Sequence, residues 1–286
     1  MPREAARTVR EILRDAALRI GGQSARLDAE LLLSDALARP RTWLFAHDES
    51  VPDAALLAVF DAALQRRLAG EPIAYIRGTA CFWSLELEVS ATTLVPRPET
   101  ELLVEIALAA LPPARQEVLD LGTGSGAIAL ALAHERPGWS VLGVDVDPDS
   151  VALATRNATR LGLRAEFLQG SWYAPLTGRR FDAIVSNPPY IADGDPCLAA
   201  PGVCREPLRA LVAGQDGLAA LRDVVAGAPA HVLPGGLLAC EHGAAQGGAV
   251  RALLRAAGFL EVETREDLAG LPRVSFGRMP RRGGLS

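Results

Sequence analysis

The sequence predicts an α/β protein with a largely parallel sheet, preceded by a small all-helical segment. Three observations carry that expectation. From residue 118 onward, short apolar runs alternate with helical patterns, and such alternation builds a parallel sheet with helices on both faces. The first of those runs passes directly into Gly122-Thr123-Gly124-Ser125-Gly126-Ala127, a glycine-rich turn that opens a helix. Residues 1–70 instead show apolar residues at helical spacing and no alternating run.

Length and composition set the bounds. At 286 residues and 30.1 kDa the chain is long enough for two domains with ample core. An apolar fraction of 49% with 22% charged residues excludes a disordered chain. No apolar run approaches the roughly 20 residues of a membrane span. Met1-Pro2-Arg3-Glu4 carries charges of both signs and leads into no signal-type apolar core, so a cytoplasmic location is the expectation. Cys81, Cys197, Cys204 and Cys240 have no Cys-x-x-Cys spacing and no His cluster beside them. They read as reduced structural thiols, with no metal site. Every basic residue is Arg, and the net charge is −5. Residues 1–70 hold ten Arg and ten acids, so the acidic excess lies in the remainder. A polyanion binder carries a basic stripe, and none is visible here.

The helical segment divides at its punctuation. Val9, Ile12, Leu13, Ala16, Ala17 and Ile20 make one face, ended by Gly21-Gly22. The tripeptide Gly21-Gly22-Gln23 reads as a connector between helices. Leu27, Leu31, Leu32 and Leu37 continue a second face up to Pro40, and a third helix runs from Pro52-Asp53 through Leu56, Leu57, Phe60 and Leu64 to Gly70. Short helices with short loops predict a small bundle over 1–70. Residues 71–95 change character: Phe82-Trp83-Ser84-Leu85-Glu86-Leu87-Glu88-Val89 alternates at period two and predicts a β-hairpin linker.

The third part spans 96–286. Pro96-Arg97-Pro98-Glu99-Thr100-Glu101 starts a helix, since proline is tolerated there and acidic residues suit the dipole. Val118 to Leu121 is then a strand, followed by the glycine turn and a helix from Ile128 to Ala133. The glycines let the backbone approach a ligand closely, with helix N–H groups pointing at it. The next strand, Val141 to Val144, ends at Asp145, where a carboxylate can bind both hydroxyls of a ribose. A solvated loop acid would be the ordinary reading of Asp145 without that glycine turn upstream. Asp147 and Asp149 are placed to cap the next helix. Ala165 to Leu168 is a third strand, and Trp172 beyond it suits either an adenine ring or the core. A helix from Gly217 to Val225, a strand from Gly236 to Cys240, a helix from Arg251 to Ala257 and two strand-like runs near Val262 and Val274 complete the pattern.

The most informative stretch is Ser186-Asn187-Pro188-Pro189-Tyr190. It follows Phe181-Asp182-Ala183-Ile184-Val185, a short buried strand. Two prolines forbid both further strand pairing and an immediate helix, so the chain leaves the sheet as a rigid turn. In open α/β sheets that strand end is where ligands bind. The turn offers the Asn187 amide, free carbonyls and the face of Tyr190, which together can accept and flank a planar NH2.

With these motifs assembled, the chain resembles the class I S-adenosylmethionine-dependent methyltransferases. More narrowly, it resembles the HemK/PrmC family, the N5-glutamine methyltransferases of peptide chain release factors. The resemblance covers nearly the whole chain, from the helical segment and the Phe82-Trp83 hairpin through Pro96 to Glu101, the glycine turn and the Asn187-Pro188-Pro189-Tyr190 turn. Glu206-Pro207-Leu208 and Glu241-His242-Gly243 extend it. It implies a Rossmann-like, seven-stranded catalytic domain that binds S-adenosyl-L-methionine through Asp120, Gly122, Thr123, Gly124, Ser125, Gly126, Asp145, Trp172 and Asn187. It implies a substrate glutamine, in a Gly-Gly-Gln motif, held by Asn187, Pro188, Pro189 and Tyr190, with Asn187, Pro188 and Tyr190 as the catalytic set. The protein partner it implies is a release factor. Residues 1–70, a separate, charge-balanced helical segment with no chemistry of its own, are expected to dock that partner, and the protein is expected to be a monomer that binds neither membrane nor nucleic acid directly. Two departures from the family pattern are Ser171, where Asp often precedes the Trp, and Cys204-Arg205, where Arg-Phe often precedes Glu206.

The implied chemistry agrees with the residues. An amide nitrogen is a poor nucleophile and a sulfonium carbon a good electrophile, so positioning supplies most of the acceleration. The Asn187 side-chain oxygen and the Pro188 carbonyl can each accept one N–H of the amide, which favours positive charge growing on nitrogen. Three rivals stand beside this reading. A nucleic-acid (adenine or guanine) amino-methyltransferase would share the turn but usually carries a basic surface. A nicotinamide-dependent oxidoreductase would leave the Asn187 turn unexplained, and a non-catalytic cofactor-binding protein would make no use of it.

Overall fold

The computed structural model describes residues 7–281. They form two compact units, one holding the chain up to Gly78 together with Ala199–Arg205, the other Thr79–Leu198 together with the chain from Glu206 onward. No helix among the described residues is long and apolar enough to cross a membrane.

The first unit contains α1 (Val9–Ile20), α2 (Ala25–Leu37), α3 (Arg41–Ala46), α4 (Ala54–Leu68) and α5 (Ile73–Arg77). Thr8 and Glu11 form a capping box at the start of α1, each side chain bonding the other's backbone N–H. Asp53 accepts from Ala55 N at 2.7 Å and starts α4. The core joins Val9, Ile12, Leu13, Leu32, Leu33, Leu44, Phe60 and Leu64. The apolar face of α2 lies one step from the expected one: Leu27 is exposed, while Ala25, Ala29, Leu32 and Leu33 are buried. Two acids share that interior. Glu30 is bridged by Arg26 and Arg41, and Asp28 by Arg67, so neither buried charge is left alone.

The unit boundary differs from the expected break at residue 70. Pro72 and a left-handed Gly78 (φ 76°) bracket α5, whose Ala74 and Tyr75 are buried. A five-residue helix is too short to show a period in sequence, so 71–78 reads there as part of the hairpin. The hairpin itself is β1 (Thr79–Phe82) and β2 (Leu85–Glu88), paired antiparallel.

The second unit continues with a 3-10 turn at Pro98–Thr100 and α6 (Glu101–Ala110). It then alternates β3 (Glu117–Leu121), α7 (Ala127–Glu135), β4 (Ser140–Asp145), α8 (Pro148–Leu161), β5 (Ala165–Gln169) and β6 (Phe181–Ser186). After several 3-10 turns come α9 (Ala219–His231), β7 (Val232–Glu241), α10 (Gly247–Ala256), β8 (Leu260–Glu266) and β9 (Pro272–Arg278). The seven strands β3 to β9 form one sheet in the order β5-β4-β3-β6-β7-β9-β8. Pairs among β5, β4, β3, β6 and β7 are parallel, and β9 and β8 close one edge antiparallel. The order reverses at β3, which pairs with β4 on one side and β6 on the other. That reversal opens a crevice at the carboxyl ends of all three strands. Both faces are covered, one by α6 and α7 over Leu103, Val118, Ile128 and Leu130, the other by α9 and α10 over Leu121, Ile184, Val224 and Leu254. Two elements run longer than expected: α9 continues through Pro229 to His231, and β7 starts at Val232.

Candidate active site

Each of the three central strands delivers one motif to the crevice. After β3 the chain turns through Gly122, Gly124 and Gly126, all at positive φ. At Gly122 (φ 72°) a side chain would be strained, and its Cβ would reach Trp172 at 3.6 Å. Gly122 and Thr123 donate their N–H groups to the Val144 carbonyl, which stitches this turn to the end of β4.

Asp145 ends β4. Its Oδ2 accepts from Gly124 N at 2.9 Å and its Oδ1 from Asp147 N at 3.0 Å. Burial raises the Asp145 pKa, opposed by those two backbone donors. Each oxygen keeps a lone pair for a further donor. Asp147, the residue before α8, accepts from the Ser150 hydroxyl and pairs with Arg209; no backbone capping bond forms from its side chain.

After β6, Ser186 donates to the Leu121 carbonyl at 2.8 Å and ties the turn to β3. Asn187 Nδ2 donates to Thr100 Oγ1 at 3.0 Å. Tyr190 donates to Glu241 Oε1 at 3.1 Å, and burial pushes its pKa up, so it remains a donor.

These elements line a cleft of about 1060 Å³, counting the space open to solvent. Of the residues expected from sequence, Gly122, Thr123, Gly124, Ser125, Asp145, Trp172, Asn187 and Pro189 are in its wall. Asp120, Gly126, Pro188 and Tyr190 are not among the lining residues. Asp120 is fully buried beneath the turn, accepting from Thr123 Oγ1 at 2.6 Å and from Ala129 N at 3.3 Å. Burial lifts its pKa to about 7, and its Oδ1 has no partner. Gly126 (φ 84°) precedes α7, and a Cβ there would crowd Ala154, Leu130 and Phe167. Pro188 is buried, and Tyr190 faces Glu241.

The wall also holds Thr92, Thr93, Leu94, Pro96, Arg97 and Thr100 from the segment before α6, and Arg209 and Ala210 from a loop far along the chain. Arg97 donates to the buried Glu206 at 2.5 Å, and Arg209 to the Thr92 carbonyl at 2.8 Å. Apart from the family resemblance, Pro96 to Glu101 shows in sequence a helix start and no sign that it lines a cleft. The charged pair 109 residues apart has no local signature. At the two departures, Ser171 lines the cleft, while Arg205 donates to the Ala69 carbonyl within the first unit. No cluster of three His, Cys, Asp or Glu side chains placed for a metal ion occurs among the described residues.

Two family descriptions match the chain: "PrmC N-terminal domain" over residues 4–78 and "Methyltransferase small domain" over 98–201. The release factor glutamine methyltransferase of Pseudomonas aeruginosa is 51% identical over 272 residues, covering 95% of this chain and 98% of that protein. The enzyme of the same name from Vibrio cholerae is 49% identical over 260 residues, covering 90% and 91%. Among solved structures, a 16S rRNA N2 G1207 methyltransferase of T. thermophilus, in complex with AdoMet and guanosine, is 27% identical. It covers 70% of this chain and 49% of that one with a TM-score of 0.52. A methyltransferase from Pyrococcus furiosus (18% identical, 69% and 90% covered, TM-score 0.53) shares the fold. Half-identity sustained across both units, together with motifs gathered at one switch point, places this chain in the family of release factor glutamine methyltransferases.

Proposed function

We propose that this protein transfers a methyl group from S-adenosyl-L-methionine to the side-chain amide nitrogen of the glutamine in the Gly-Gly-Gln motif of peptide chain release factors, with Asn187 receiving that amide. The observation that supports the site reading is the sharing of one cleft by the Asn187 turn and the Asp145–Gly124 pair.

The residues present fit the cofactor. Asp145, held by two backbone N–H groups and still able to accept, suits a ribose diol. Trp172 offers a flat apolar face beside Gly122, where no Cβ stands in the way. When bound, the cofactor supplies an electrophilic methyl group on a sulfonium. The chain's task is then to bring the amide nitrogen to it and exclude other acceptors. Asn187, with Nδ2 already engaged by Thr100, presents Oδ1 as the acceptor for one amide N–H. The Pro188 carbonyl is the second acceptor in this reading. Asp120, Gly126 and Tyr190 then act on the shape of the site from beneath it.

Residues 4–78, which match the "PrmC N-terminal domain", supply the docking surface for the protein substrate in this reading, with the enzyme acting as a cytoplasmic monomer on protein alone. The nucleic-acid alternative draws on structures that match about 70% of the chain, whereas the glutamine methyltransferases match about 90% or more. The test is to incubate the protein with methyl-labelled cofactor and a release factor. Label should enter the wild-type factor and not one with the Gly-Gly-Gln glutamine replaced, and labelled RNA or DNA instead would reverse the assignment.

A further inference from the structure

The Asn187 turn has few backbone groups by which it can be tied down. Pro188 and Pro189 bring no N–H, and the Pro188 carbonyl is the one assigned to the substrate amide. At the entry, Ser186 donates to the Leu121 carbonyl. At the exit, the Tyr190 carbonyl accepts from Gln246 Nε2 at 3.0 Å. One residue on, Ile191 N donates to the Leu211 carbonyl at 2.8 Å, so the exit is gripped from two sides.

Gln246 lies directly before α10 and is half-buried. Its Oε1 accepts from Gly243 N at 2.9 Å, and its Nε2 also donates to the Gly217 carbonyl at 3.3 Å. A carboxamide is nearly symmetric in shape, but here backbone groups set both its ends. The Gly243 N–H can only donate, and the Tyr190 and Gly217 carbonyls can only accept. Gly243 is itself held fast, since its carbonyl accepts from Gln246 N and from His242 Nδ1, each at 2.8 Å. Gly217 (φ 69°) runs so close to the turn that a Cβ there would collide with the Tyr190 carbonyl and crowd Gln246 Nε2. The turn after β6, the loop before α9 and the turn after β7 therefore meet on one side chain.

We propose that Gln246 is a positioning residue that holds the exit of the Asn187 turn, and through it the spacing of the two acceptors that receive the substrate amide. Gln246 is not among the residues lining the cleft, so it acts through the turn. The two prolines have fixed φ and pass on a shift at Tyr190 instead of absorbing it, so the Pro188 carbonyl moves with the Tyr190 peptide. Without the Gln246 amide, the Tyr190 and Gly217 carbonyls lose a shared donor at a point where the two chains touch. The amide nitrogen of the substrate then meets its acceptors out of line with the methyl group.

This inference rests on the Asn187 turn receiving the substrate amide, and the experiment separates the two. The kcat and KM for an intact release factor, the affinity for cofactor alone and the melting temperature are measured for Gln246→Glu, Gln246→Met, Asn187→Ala and the Gln246→Met/Asn187→Ala double variant. Both Gln246 variants should lower kcat by about tenfold or more, with KM, cofactor affinity and melting temperature close to wild type. Gln246→Glu adds a readout that a merely structural role would not move. Ionised, it sets an oxygen against two carbonyls; protonated, it regains one donor. The charged groups on the surrounding elements are engaged elsewhere: Asp216 with Arg222, Arg251 with Thr264, Arg273 with Asp267, and Glu241 with the Tyr190 hydroxyl. His242 is turned onto Gly243 and Ser275. The kcat of Gln246→Glu relative to wild type should therefore recover as pH falls from about 8 to about 6, and that of Gln246→Met should not. Gln246→Met should add little in the Asn187→Ala background, because both act on one turn. Normal turnover by Asn187→Ala would remove the underlying reading. A crippled Asn187→Ala beside normal Gln246 variants, or an additive double variant, would overturn the positioning role alone. So would a Gln246→Glu defect that does not change with pH, or one that comes with lost cofactor binding and early melting.

Discussion

Asp120 accepts a hydrogen bond from the Thr123 hydroxyl at 2.6 Å, while its other carboxylate oxygen lies buried with no partner. The residue is thus a prop for the glycine turn, and an electrostatically costly one. Its folded pKa, about 7, stands well above the roughly 4 of an unfolded Asp. For an acid shifted upward the native state binds more protons between those values, so stability falls as pH rises from about 4 to about 7. Glu241, also near 7, adds in the same direction. Asp120→Asn should flatten this decline, by on the order of a few kcal/mol across the window. Urea midpoints at pH 5 and pH 8 measure it; an equal decline in both proteins would show that Asp120 is not the source.

Asp145→Ala should keep the fold and weaken S-adenosyl-L-methionine binding by about 1.5–3 kcal/mol, the range for a hydrogen bond to a charged group. Part of the loss comes from the released Gly124 and Asp147 N–H groups, which no longer hold the turn shut. Calorimetry that finds unchanged affinity would return Asp145 to a purely structural role.

Asn187→Ala should bind cofactor and fold normally yet turn over about 10²–10³ times more slowly, the usual cost of one preorganised hydrogen bond at a reacting group. The variant leaves Ser186 tied to Leu121, so the turn stays anchored to β3. Single-turnover methylation of a release factor reads the effect directly.

A chain beginning at Thr79 should still bind cofactor, because every cleft residue belongs to the second unit. Its kcat/KM for an intact release factor should fall sharply, since a glutamine side chain alone offers too few contacts to select one protein. A short Gly-Gly-Gln peptide should be a poor substrate for both forms and insensitive to the cut. Equal losses on peptide and protein would mean that the helices only support the catalytic fold.

The sequence by itself determined the architecture and the chemistry. Glycines that must turn at positive φ, an acid ending the second parallel strand, and two prolines after the fourth are local constraints, legible without coordinates. The strand-to-helix alternation that orders them is local as well. Tertiary structure decided which of those residues reach the cleft. Asp120 and Asp145 look alike as strand-end acids, yet one is sealed under the turn and the other faces the opening, and only the packing of α7 and β4 tells them apart. Thr100, Arg97 and Arg209 enter the wall because separate stretches of chain converge there. Glu206 holds Arg97 in that wall across a separation of 109 residues, and Glu241 meets Tyr190, outside the wall, across 51. Partnerships over such distances leave no period or spacing in the sequence. They arise because a buried charge must find a partner in space, and the fold decides which residue that is.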